Sequence, residues 1–146
     1  MALDTTAHPE RRAQTRSQIA PEAMQLQLER VARVLDLEAI VLADDLGYPV
    51  VKAGDPDLAD VLASAAMWSS HRRRAGCNVD PLIFEQLKAL APHLTEQDVV
   101  SCPLDLPGLG SATRLLAIGT SPARMVGLLY AASGLDRIAA QVPWPL

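Results

Sequence analysis

Two apolar runs joined by an acidic turn constrain this chain more than any other feature. They are Glu38-Ala39-Ile40-Val41-Leu42-Ala43 and Tyr48-Pro49-Val50-Val51-Lys52-Ala53, separated by Asp44-Asp45-Leu46-Gly47. Short runs of this kind, bounded by acid and glycine punctuation, read as the strands of an antiparallel hairpin. Pro49 has no N–H to give a ladder, so the second strand is expected at an edge of its sheet. An open edge is a place where another chain can add.

Helices are expected on both sides of the hairpin. From Pro21, apolar residues recur at Met24, Leu28, Val31 and Leu35 with polar residues between, the period of an amphipathic helix. Asp55-Pro56 is a helix start with a mechanism, because the carboxylate accepts from the orphan N–H groups of the first turn and proline presets φ. Leu58, Val61, Leu62, Ala65 and Ala66 continue that helix, which is expected to run to His71–Arg74 and close at Gly76. A second such start, Asp80-Pro81, opens an inserted helix near 80–92 that carries Leu82, Ile83, Leu87 and Leu90.

The remainder reads as sheet. Val99–Leu104 is a strand, Leu106–Ser111 a turn-rich connection, and Thr113–Gly119 and Arg124–Ala131 the two strands of a second hairpin. Ser133 caps a last helix with Leu135, Ile138 and Ala139. The fold class is α/β of the α+β type, a five-stranded antiparallel sheet with flanking helices. One domain spans 20–142, preceded by a flexible N-terminal arm (1–19) and followed by a short C-terminal tail (143–146).

Composition restricts the function. With 49% hydrophobic residues in 146, the chain can bury one ordinary core. Only Tyr48, Trp68, Phe84, Tyr130 and Trp144 are aromatic, too few for a platform that stacks single-stranded nucleic acid. The net charge of -4 repels phosphate backbones, so no nucleic-acid partner is expected. No apolar run reaches the length of a membrane span, and Cys77 and Cys102 without a secretory leader point to free thiols in the cytoplasm.

The residues that could do chemistry do not assemble into a motif. His71, Cys77, His93 and Cys102 lack the paired spacings of a metal site. Asp44 and Asp45 lie in a turn, where carboxylates ordinarily accept from local backbone N–H groups. The stretch Pro107–Ser111 lacks the lysine and the glycine spacing of a phosphate cradle. A non-catalytic protein without metal or cofactor is expected. Arg72, Arg73 and Arg74 are candidate partner-binding residues for an acidic surface, although charges near a helix end also suit the dipole.

The stretch LERVARVLDLEAIVLADDLGYPVVKAG, with the helix DPDLADVLASAAM after it, resembles the opening of the roadblock/LC7 family: helix, strand, acid-glycine turn, strand, helix. TRLLAIG and RMVGLLYA extend the likeness over about three quarters of the chain. The resemblance implies a homodimer in which the second helix and an adjacent strand meet their symmetry mates. It further implies a sheet that receives a small Ras-like GTPase or another scaffold. The interface would then fall on Leu62, Ala65, Ala66, Trp68 and Ser69. The segment from Arg72 to Asp98 departs from the family. It leaves open a GAF/PAS-like sensor, which shares an antiparallel sheet and would enclose a small ligand between sheet and inserted helix.

Overall fold

The computed structural model describes residues 21–69, 80–106 and 112–141. Helix α1 (21–34) buries Met24, Leu28 and Val31, the apolar stripe that its spacing predicts. It ends in a Schellman turn: Leu37 N–H donates to the Ala32 carbonyl at 2.8 Å and Asp36 takes the left-handed position at φ 52°. Strands β1 (Ala39–Asp44) and β2 (Pro49–Gly54) form the first hairpin. Asp44 Oδ1 accepts from the N–H groups of Leu46 at 3.0 Å and Tyr48 at 2.9 Å, which fixes the turn.

Helix α2 (Pro56–Ser69) starts at Asp55, whose Oδ1 accepts from the N–H of Asp57 at 2.9 Å and Leu58 at 3.3 Å. Helix α3 (Pro81–Leu90) repeats the device with Asp80 and the N–H groups of Leu82 and Ile83. A short 3-10 turn, Glu96–Asp98, leads into β3 (Val99–Leu104), followed by β4 (Thr113–Ile118). The expected end of α2 near His71–Gly76, the connection 107–111, the N-terminal arm and the tail lie outside the described residues.

The second half corrects the sequence reading. Residues expected as a strand (124–131) and as a separate helix capped by Ser133 are one helix, α4 (Arg124–Gln141). Its buried residues Gly127, Leu128, Ala131, Gly134, Leu135 and Ala139 recur at the helical period. The second hairpin is therefore β3–β4, and the sheet among the described residues has four strands rather than five. Its order is β2-β1-β4-β3, with every neighbouring pair antiparallel. Pro49 lies on an edge strand, as its missing N–H requires.

Helices cover both faces of the sheet. Ile40, Leu42, Leu115 and Ala117 meet α1 and α4 on one side. Ala39, Val41, Leu116 and Ile118 meet α2 and α3 on the other. Alternation along each strand thus feeds two cores, which explains why β1 and β4 are buried at nearly every position. Ile83, Leu87 and Leu94 are buried in the second core together with Val99, Leu116 and Ile118.

Candidate partner interface

The small residues of α2 have a local explanation. Gly47 sits at φ 87° in the β1–β2 turn, and a Cβ there would lie 3.2 Å from the Ser64 Cα. The hairpin tip therefore rests on the Ala63-Ser64 backbone, and small residues on both sides allow that approach. Leu62, Ala65 and Ala66 are buried at 0%, 1% and 1% exposure within the chain's own second core. These three are expected at a dimer interface, and within the single chain their side chains are covered by its own sheet and α3. Trp68 and Ser69 fall at the end of α2, but their side chains lie outside the described residues, as do Arg72, Arg73, Arg74, His71 and Cys77.

The remaining candidate groups serve local structure. His93 Nε2 meets Glu38 Oε1 at 2.7 Å, tying the segment after α3 to the start of β1. Asp98 Oδ2 accepts from Thr95 N–H at 2.8 Å. Cys102 is buried in the first core, and desolvation pushes its thiol above the ordinary 9.0 although Arg114 pulls the other way. Arg114, itself buried, donates from Nε to Ser101 Oγ at 3.0 Å. Among the described residues no group of three His, Cys, Asp or Glu side chains could hold a metal ion. None of their helices is long and apolar enough to cross a membrane.

What the surface does offer is apolar area on rigid elements. Between α1 and α4 runs a groove of about 260 Å³, walled by Arg30, Val31, Val34 and Leu35 on one side and Ala123, Val126, Gly127 and Tyr130 on the other. Val34 and Val126 are 70% exposed and Tyr130 is 57% exposed, far more than the core can account for. Gly127 lets Leu35 seat against the α4 backbone, which brings the two helices close beneath the groove. Leu46 and Tyr48 on the hairpin tip, and Met67 near the end of α2, the helix the tip rests on, are further exposed apolar side chains. The groove escapes the sequence reading because residues 124–131 read there as a strand. Ser121-Pro122 holds the missing signal, since Ser121 Oγ accepts from Ala123 N–H at 3.2 Å just before α4, the same grammar as Asp55-Pro56.

No protein-family model and no curated protein sequence matches the chain. Solved structures match it in fold. Myxococcus xanthus MglB is 15% identical with a TM-score of 0.53, the match covering 83% of this chain and 90% of that one. The gliding protein MglB from Thermus thermophilus is 20% identical with a TM-score of 0.50, over 84% and 93% of the two chains. An MglB with a tetrameric arrangement is 20% identical with a TM-score of 0.51, over 84% and 91%. Identities this low establish the fold and nothing finer. The chain thus has the roadblock/LC7-like α+β fold of the MglB structures, and the resemblance read from residues 28–67 holds at that level.

Proposed function

We propose that the chain is a non-catalytic regulator or scaffold that forms a homodimer in the cytoplasm and binds another protein. The roadblock/LC7 likeness makes a small Ras-like GTPase the partner class to test. The observation that supports this most is the α1–α4 groove, where Val34, Val126 and Tyr130 stand exposed on two packed helices beside Arg30. Exposed aliphatic and aromatic side chains on a rigid frame, with a guanidinium at the rim, are the composition of a protein-binding surface. Self-association is proposed to use the exposed Leu46, Tyr48 and Met67, with Trp68 and Ser69 as the interface residues that the family likeness implies. Arg72, Arg73 and Arg74 would add charge-assisted contacts to an acidic partner.

Two measurements test the reading. Light scattering of the pure protein gives its mass, with a dimer expected. Calorimetric titration against Ras-like GTPases, loaded with GDP or a non-hydrolysable GTP analogue, gives affinity. Val126→Glu and Tyr130→Glu should each weaken binding by about tenfold or more, since a carboxylate would have to be desolvated in an apolar contact. A monomer that binds none of the GTPases in either nucleotide state sinks the proposal.

A further inference from the structure

The sheet ends in two edge strands, β2 and β3, and a side chain occupies one of them. Gln25, on α1, reaches Lys52 in the middle of β2. Its Oε1 accepts from the Lys52 N–H at 3.2 Å, and its Nε2 donates to the Lys52 carbonyl at 2.5 Å. Lys52 stands opposite Val41 in the β1–β2 ladder. In antiparallel pairing the N–H and C=O of one residue point to the same side, so both groups met by Gln25 face away from β1. These are the groups that an added strand would use.

A carboxamide is a peptide group carried on a side chain. Gln25 therefore makes with one residue both bonds that a neighbouring backbone would make to Lys52. The rest of the edge is also irregular. Pro49 offers no donor, and the register shift between Leu42 and Ala43 leaves Val50 as the extra residue of a bulge. Beyond the edge the surface is open: an apolar depression lined by Pro21, Glu22, Gln25, Leu26 and Val51 lies there. Among the described residues no backbone group bonds Lys52 from that side. The amide of Gln25 is what an incoming strand would have to displace.

We propose that Gln25 closes the β2 edge to strand addition by a second copy of this chain, and so restricts where the protein can associate with itself. The inference rests on the sheet edge alone and stands or falls independently of the partner groove. The test compares wild type with Gln25→Ala and with Gln25→Asn in the full chain. Asparagine keeps the amide but is one methylene too short to make both bonds, and it serves should the alanine variant fail to fold. Residue-resolved hydrogen exchange in dilute solution should show the Lys52 amide exchanging about tenfold faster in the variants, the factor that one hydrogen bond's net worth supplies. Light scattering across the micromolar to millimolar range should show a mass that climbs with concentration above that of wild type. Unchanged exchange at Lys52, or a mass equal to wild type at every concentration, overturns the proposal.

Discussion

Asp36 and Gly47 both sit in the left-handed region, at φ 52° and 87°. A Cβ is disfavoured there, so the two positions respond in opposite directions to substitution. Gly47→Ala adds a methyl group that would lie 3.2 Å from the Ser64 Cα as well as backbone strain, with an expected loss of about 1–3 kcal/mol in urea unfolding. Asp36→Gly relieves the strain at the end of α1 and should gain about 0.5–1 kcal/mol by the same measurement. Cys102 provides a residue-scale prediction with a pH sign. Burial holds its thiol protonated above the ordinary 9.0, so in alkaline solution the unfolded chain loses this proton before the folded one does. The stability contributed by the buried thiol is complete below the unfolded pKa and is lost as pH climbs through the higher folded value. In a Cys77→Ser background, iodoacetamide should alkylate Cys102 slowly near pH 8 in the native protein and rapidly in urea.

At the scale of elements, legibility follows the punctuation. Asp55-Pro56 and Asp80-Pro81 announce α2 and α3 through a side-chain acceptor and a fixed φ, and the structure finds both bonds in place. The acid-glycine turn and Pro49 likewise announce the first hairpin and its edge strand. Helix α4 is hidden because Met125-Val126-Gly127-Leu128-Leu129-Tyr130 is a short apolar run containing a glycine, and periodicity cannot separate strand from helix in so short a window. Packing decides it: Gly127 and Gly134, poor helix formers, let α1 approach, and the tertiary contact outweighs propensity. A strand would place Val126 and Leu128 on one face, whereas the helix exposes the first at 70% and buries the second completely. Leu128→Ala should therefore cost about 2–5 kcal/mol and Val126→Ala less than about 0.5 kcal/mol, measured by denaturant unfolding. Equal costs would contradict the helix. The groove of the candidate interface is hidden for the same reason, since one of its walls is α4.

At the scale of the whole molecule, one sheet serves two cores, and this decides how the α2 residues behave. An Ala-rich helix face can pack against its own sheet or against a symmetry mate, and the sequence Ala63-Ser64-Ala65-Ala66 suits both. Only the hairpin tip on Ser64 and the α3 side chains beside Leu62 distinguish them, and those contacts join residues far apart in the chain. The distinction has a thermodynamic signature. A residue buried within one chain contributes the same free energy at any protein concentration, while an interface residue acts through a dimer whose population follows mass action. Leu62→Ala should lose about 2–5 kcal/mol, with a ΔΔG that does not change between dilute and concentrated samples. Paired with Leu135→Ala, in the core on the opposite face of the sheet, the two losses should add to within about 0.5 kcal/mol, because the sites share no partner. A Leu62→Ala effect that shrinks on dilution would return this residue to the dimer interface and leave Met67, Leu46 and Tyr48 without that role.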